Sequence, residues 1–337
     1  MVDVLVCSRP GELGLTRRPI PKAGAGDALV RPRRIGVCGT DFHIFEGKHP
    51  YLQYPRVMGH ELCVEVVETP ADSGFAAGEL CIVNPYLSCG RCAACRSGKP
   101  NCCVEIAVLG VHRDGGMAEM MSLPAGNLLR AGGLTPDQCA AVEFLAIGAH
   151  AVRRGAVAPG DRALVVGAGP IGLGVAIFAR LAGATVAIYD RDLARSRTAA
   201  QVAGAETLQA SSDESAAALE FTKGDGFDVV FDATGNARSM EAGFDFVAHG
   251  GCYVFVSVVR ETIAFADADF HRKEMTLLAT RNATREDFDQ VMAAIVGGAV
   301  PVERLITHRT SLAGALEDIP RWAAARSGLI KAIIEIN

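Results

Sequence analysis

Cys89, Cys92 and Cys95 stand at steps of three, and a Cys102-Cys103 pair follows within the next eight positions. Four thiolates so spaced can fold around one tetrahedral ion, and Zn²⁺ favours both that geometry and soft sulfur ligands. The Gly, Ala, Ser and Pro residues between them let the loop wrap the metal. A site with four protein ligands has no open position, so its work is structural. The competing reading is a disulfide cluster or ordinary buried thiols. The N-terminus, Met1 to Val6, lacks the basic flank and long apolar run of a secretory signal. A cytoplasmic setting, which keeps thiols reduced, is therefore expected. Cys7, Cys63, Cys81, Cys139 and Cys252 lie outside this cluster and are read as buried thiols.

A second constellation is spread more widely. The runs Gly36-Val37-Cys38-Gly39-Thr40-Asp41-Phe42-His43 and Gly59-His60-Glu61 supply a thiolate, an imidazole and an adjacent carboxylate. Separated Cys and His ligands can make an open zinc site, with water or substrate in the last position.

A third constellation suits a dinucleotide. Gly167-Ala168-Gly169-Pro170-Ile171-Gly172 follows an apolar run and opens a helical one. The first glycine permits a tight turn. The second lets backbone approach a pyrophosphate seated on the helix N-terminus, and the third allows close helix–strand packing. Asp190 ends the next apolar run, eighteen residues after Gly172. An acid there binds the adenosine ribose hydroxyls and repels a 2′-phosphate, which favours NAD over NADP. Arg191 beside it could instead accommodate that phosphate. Asp232-Ala233-Thr234-Gly235 ends a later strand. That places Asp232 and Thr234 on the carboxyl edge of a sheet, where ligands gather.

The elements that must position these residues divide by texture. Residues 1–140 read as β-rich, with strands at Val4–Cys7, Ala28–Val37, Glu61–Glu68 and Leu80–Asn84. From about residue 160, strands and helices alternate: strand Ala163–Val166, helix Ile171–Leu181, strand Thr185–Tyr189 and helix Asp192–Ala203. A short strand near Thr207 follows, then helix Ser212–Phe221, strand Phe227–Phe231, helix Ala237–Val247 and strand Gly251–Ser257. That rhythm makes βαβ units and a parallel sheet. The chain ends in an apolar strand, Leu329–Ile336. The simplest layout is a β-rich domain interrupted by an α/β domain, with the tail rejoining the first part.

Size and charge agree with two globular domains. The chain has 337 residues, 50% hydrophobic and 21% charged, with a net charge of −5. That balance offers no footprint for nucleic acid or an anionic membrane. Residues 163–189 carry only Arg180 as a charge and so mimic a membrane span. Glycines 167, 169, 172 and 174 with Pro170 fit a buried strand, turn and helix instead.

Together these motifs resemble the zinc-dependent medium-chain dehydrogenase/reductases. The chain is similar to the polyol, threonine and sugar-acid dehydrogenase branch of the alcohol dehydrogenase family. The resemblance rests on Gly36–His43, Gly59-His60-Glu61, the cysteine lobe, Gly167–Gly172 and Asp190. It implies a Rossmann doubly wound parallel sheet, residues 147–272, inserted into a β-rich GroES-like catalytic domain, residues 1–146 and 273–337, whose zinc lobe spans 85–105. It implies a catalytic zinc on Cys38, His60 and Glu143, and a structural zinc on Cys89, Cys92, Cys95 and Cys103, the family spacing selecting Cys103 over Cys102. Glu61 matches a residue that can exchange onto the catalytic ion, and Asp41 a carboxylate that orients His60. Thr40 matches the hydroxyl that touches the substrate oxygen, and His43 the end of a proton relay. Phe144 stands where the family usually has proline after its glutamate.

Arg113, in His112–Gly116, and Arg281-Asn282 suggest an anionic or highly hydroxylated substrate, because an arginine fork suits a carboxylate. Arg281 matches a substrate-binding position of polyol dehydrogenases. The stretch His271–Asn282 resembles sugar-acid 5-dehydrogenases acting on L-galactonate or L-gulonate. The expected protein is an NAD- and zinc-dependent dehydrogenase of a small polyhydroxylated acid, a homo-oligomer of two or four chains. A polyol or L-threonine dehydrogenase is the alternative within the class. A zinc-free quinone or enoyl reductase would not need Cys38, His60 and Glu143. A non-catalytic NAD-binding sensor would not need Thr40 and His43.

Overall fold

The computed structural model describes residues 1–49, 52–208, 214–326 and 328–336. The chain forms two compact units, Met1–Glu143 with Met292–Asn337, and Phe144–Val291.

In the first unit the long strand Asp27–Val37 is central. It pairs antiparallel with Glu61–Glu68 on one side and with Lys331–Glu335 on the other. The sheet runs in the order Leu128–Arg130, Leu80–Val83, Glu61–Glu68, Asp27–Val37, Lys331–Glu335, Ile306–Ser311, and Met121–Pro124 also pairs with the long strand. A smaller sheet joins Glu12–Arg18, Val2–Arg9 and Arg56–Val57. Leu5, Ile35, Leu62, Val64 and Met117 share one core with Ile319, Trp322 and Ile334 from the other end of the chain. Each such side chain contributes about 1.5–3 kcal/mol by leaving water. That burial holds the tail against the first segment.

The second unit carries six parallel strands in the order Glu206–Thr207, Thr185–Tyr189, Arg162–Val166, Phe227–Asp232, Val247–Phe255, Thr276–Ala279. The order reverses at Arg162–Val166, which makes the carboxyl end of that strand the switch point of a doubly wound sheet. Its strands read as unbroken apolar runs because both faces are covered.

Several elements differ from the sequence reading. Thr276–Ala279 pairs parallel with Val247–Phe255, so it extends the inserted sheet, although residues 273–337 were expected to belong to the first domain. The helix expected over Ala237–Val247 stops early. It is α-helical over Ala237–Ala242, tightens to a 3-10 turn over Gly243–Phe246, and Val247 already pairs with Phe227. An apolar run such as Phe246-Val247-Ala248 has no period that separates helix from strand. The helix expected over Ser212–Phe221 is seen over Glu214–Phe221, and residues 212 and 213 lie outside the described residues. Pro136–Arg154 is a nineteen-residue helix that the β-rich reading of residues 1–140 overlooked. Among the described residues, no helix is long and apolar enough to cross a membrane.

Candidate active site

Cys38 follows the last residue of the long strand and stands at the N-cap of the helix Gly39–Phe45. His60 immediately precedes the neighbouring strand Glu61–Glu68. One carboxylate ties these two places together. Asp41, fully buried, accepts the Cys38 N–H at 2.8 Å through Oδ2 and the Gly59 N–H at 3.2 Å through Oδ1. The His60 imidazole is 4.0 Å from the same oxygen, beyond a hydrogen bond. Asp41 therefore sets the backbones that carry the two ligands, where the resemblance implied a direct bond to the ring.

Ligand atoms of Cys38, His60 and Glu61 lie within 4.8 Å of one another. Ligands about 2.0–2.3 Å from a shared tetrahedral ion would stand about 3.3–3.8 Å apart, so Cys38 and His60 meet on the scale of a zinc site, whereas Glu143, the third ligand that the resemblance implied, is not part of that group. His60 Nδ1 is buried and has no hydrogen-bond partner. That nitrogen faces Asp41 at 4.0 Å, which leaves the other ring nitrogen for the Cys38 side of the cluster.

Glu143 lies within the helix Pro136–Arg154 and is also buried. Burial pushes its carboxyl above the ordinary range, while the charge of His60 pulls it down. The Tyr86 hydroxyl donates to its Oε1, which leaves Oε2 for a further partner. Tyr86 was missed by the sequence reading, because a tyrosine near a cysteine lobe carries no local sign of its target. Glu61 is bound by a second unforeseen residue: the Lys331 Nζ lies 2.6 and 2.7 Å from its two oxygens.

Thr40 and His43 stand one helical turn apart on the short helix Gly39–Phe45, and so on one face. Thr40 Oγ1 lies 3.8 Å from Cys38 Sγ. His43 is on the exposed side of the helix, and desolvation, then the charge of Arg326, hold its imidazole below the ordinary pKa.

In the cysteine lobe, Cys89, Cys92, Cys95 and Cys103 converge within 4.8 Å, and Cys102 stays exposed. Cys92 Sγ and Cys95 Sγ are 3.5 Å apart. That is far from a bonded disulfide at about 2.05 Å and close to the ~3.8 Å edge of a zinc tetrathiolate. Backbone N–H groups point at the sulfurs: Cys103 Sγ accepts from Cys89 at 3.3 Å and Glu105 at 3.4 Å. Such donors, from Cys95 and Val104, lower the Cys92 thiol to about 6, and burial raises Cys95 to about 11. A two-stranded ribbon, Tyr86–Leu87 with Ala107–Val108, closes the base of the lobe. Cys7, Cys63, Cys81 and Cys139 are buried, and Cys252 is half-buried.

The glycine loop sits at the switch point of the parallel sheet. Gly167 has φ +100°, and a Cβ on Gly172 would lie 1.8 Å from the Gly167 carbonyl oxygen. No larger residue than glycine closes this turn. The helix Pro170–Leu181 has Gly169 as its N-cap with no side-chain cap, and a Cβ on Gly169 would meet nothing within 4 Å. Open space before uncapped N–H groups fits a pyrophosphate. Asp190 accepts the Ala168 N–H at 2.8 Å and the Asp192 N–H at 2.9 Å. Each carboxylate oxygen keeps capacity for a further donor. Arg191 is exposed. Asp232 is fully buried, and its oxygens take Thr234 N–H, Thr234 Oγ1 and Ser239 Oγ at 2.7–2.9 Å. It shapes the loop that carries Thr234. Arg281 is exposed and follows the carboxyl end of Thr276–Ala279, with half-buried Asn282 beside it at φ +54°. Arg113 is exposed and belongs to the first unit, whereas Arg281 belongs to the second.

The Alcohol dehydrogenase GroES-like domain family matches residues 24–133, and the Zinc-binding dehydrogenase family matches residues 170–297. The chain is 41% identical over 335 residues to the L-galactonate-5-dehydrogenase of Escherichia coli strain K12, covering 99% of this chain and 98% of that one. Among solved structures, an alcohol dehydrogenase from Escherichia coli CFT073 complexed with NADH superposes with a TM-score of 0.92 at 27% identity, covering 99% of both chains. A chain from Sinorhizobium meliloti 1021 described as a zinc-binding dehydrogenase bound to NADP also gives 0.92, at 30% identity, covering 100% of this chain and 99% of that one.

Proposed function

The chain belongs to the zinc-containing alcohol dehydrogenase family, and we propose that it oxidises a secondary alcohol of a small polyhydroxylated acid with NAD⁺. The observation that carries the substrate class is the 41% identity to L-galactonate-5-dehydrogenase along nearly the whole of both chains.

Two zinc ions per chain are proposed, one on Cys89, Cys92, Cys95 and Cys103 and one on Cys38, His60 and Glu143. The second ion, when bound, supplies Lewis acidity that lowers the pKa of an alcohol in its open position. Asp41 keeps Cys38 and His60 in place through the backbone N–H groups of Cys38 and of Gly59, the residue before His60. Tyr86 fixes one oxygen of Glu143 and so orients the other. The Thr40 hydroxyl, beside Cys38, hydrogen-bonds the alcohol oxygen and relays its proton, Oγ1 accepting it while the hydroxyl's own proton passes on toward His43. The lowered pKa of His43 keeps its imidazole neutral near pH 7, so it is able to receive a proton on the exposed side of the same helix. Gly167, Gly169, Pro170, Ile171 and Gly172 hold the cofactor pyrophosphate, with Thr234 on the same sheet edge.

The proposal is tested by NADH formation with L-galactonate, L-gulonate, sorbitol and L-threonine. The acids should give the highest kcat/KM, and a higher value for sorbitol or threonine would overturn the assignment. Arg281 is proposed to bind the substrate carboxylate, with Arg113 the weaker candidate. Arg281→Ala should raise KM for the preferred acid about ten- to a hundredfold, since a charge-assisted bond contributes ~1.5–3 kcal/mol. A neutral polyol should change little. Unaltered kinetics with the acid would remove Arg281 from this role.

NAD preference is proposed to rest on Asp190. Asp190→Ala should narrow the ratio of kcat/KM for NAD over NADP by about tenfold or more. The same change loosens Ala168, so KM for both cofactors should rise, and the ratio is the informative quantity. Equal kcat/KM for the two cofactors in the unsubstituted enzyme would refute the assignment.

A further inference from the structure

Lys331 is 1% exposed, and Glu61, its partner, is fully buried. A lysine is almost never buried this far unless it is paired. Its Nζ spans both Glu61 oxygens at 2.6 and 2.7 Å and lies 3.5 Å from the Val37 carbonyl oxygen.

Three adjacent strands create the contact. Ala332 stands opposite Val37, Ile333 opposite Gly36, and Gly36 opposite Glu61. Gly36 is the residue between the lysine strand and the glutamate strand. A Cβ there would come within 2.0 Å of Glu61 Oε2 and 2.8 Å of Glu61 Cβ. The missing side chain is the space that Glu61 occupies.

Charge gives this arrangement a purpose. A divalent ion on Cys38, His60 and Glu143 is balanced by one thiolate and one carboxylate. Asp41 is committed to two backbone N–H groups. Glu61 is a further anion, with an oxygen within 4.8 Å of the Cys38 and His60 ligand atoms. It is close enough to take the open position, and Lys331 holds both of its oxygens.

We propose that Lys331 is a positioning residue of the metal site, which holds Glu61 back so that the fourth position stays open to substrate. The inference rests on the reading that Cys38, His60 and Glu143 hold zinc. With Lys331 removed, Glu61 closes the site. The ion is then held by one more ligand, and substrate must displace a carboxylate.

The test measures zinc release to a chromogenic chelator together with kcat, in the full-length protein. The release phase that belongs to this site is the one absent from Cys38→Ala. Lys331→Met should slow that phase by about tenfold or more and lower kcat by a similar factor, within the range found when outer partners of metal ligands are changed. Lys331→Arg, which keeps the charge and two donors, should stay within about threefold of the parent in both. Should Lys331→Met fail to fold, Lys331→Gln is read in the same way, because it keeps a donor and removes the charge. A purely structural lysine predicts the opposite sign, with faster release from a loosened site. Unchanged or faster release in the folded variant would overturn the inference alone. A parent protein with no Cys38-dependent zinc phase would remove the underlying metal assignment as well.

Discussion

Cys38→Ala is expected to lower kcat/KM by about a thousandfold or more while leaving a folded protein that still binds NADH. The metal supplies several kcal/mol of transition-state stabilisation, and each ~1.4 kcal/mol is a factor of ten. Zinc content should fall by about one ion per chain, because His60 and Glu143 alone make a poor site. The fold should survive. Cys38 is only half-buried at a strand end, and the sheet around it is held by backbone pairing on both sides of the long strand. Elemental analysis, circular dichroism and NADH fluorescence titration separate the three statements. Full activity of metal-free enzyme kept in chelator would sink the proposed chemistry.

Cys95→Ala should act on stability instead. Its sulfur is one of four that converge, and the lobe they shape has one very short helix, Ala93–Arg96, and few buried side chains. Metal binding there is the main free energy that orders the loop. Loss of a ligand should lower Tm by roughly 5 °C or more, on a scale of about 2–4 °C per kcal/mol for a unit of this size. Limited proteolysis should then cut within residues 85–105. Turnover of the folded fraction should fall less than about tenfold, an indirect effect transmitted by Tyr86, which leaves the base of the lobe to reach Glu143. If Cys95→Ala abolished turnover at unchanged Tm, the roles of the two metal sites would have to be exchanged.

Much of this site is written in local spacing. The cysteine steps, the glycine loop and the acid after the second strand are each short motifs whose geometry follows from a few consecutive residues, and the structure brings each set together. Partners that meet through strand register left no such trace. Lys331 sits in an apolar run, Lys331-Ala332-Ile333-Ile334, and reads as a strand residue of no special kind. Only the pairing with the long strand shows what it faces. Tyr86 is hidden for a related reason, since its partner Glu143 lies on a helix 57 positions further on. The helix Pro136–Arg154 is a different case. Nearly every side chain from Cys139 to Val152 is buried, so no polar face marks a helical period. A signal was present at its start. Thr135 and Gln138 cap one another's N–H groups at 3.3 and 3.0 Å, with Pro136 first in the helix. Thr-Pro-Asp-Gln is a helix-start signature that could have been read directly.

The position of Lys331–Glu335 in the middle of the first unit's sheet has a consequence for biosynthesis. A ribosome emits the long strand Asp27–Val37 early and its neighbour Lys331–Glu335 only after the whole inserted unit. At about 5–20 residues per second, that interval is on the order of ten seconds or more. During it, residues 34–37 have an unpaired edge, and Ile35, buried beside Ile334 in the finished core, lacks its cover. The inserted unit is contiguous and can fold on emergence. The metal-binding unit can close this edge only when residues 331–335 emerge, so its sheet is completed after the inserted unit.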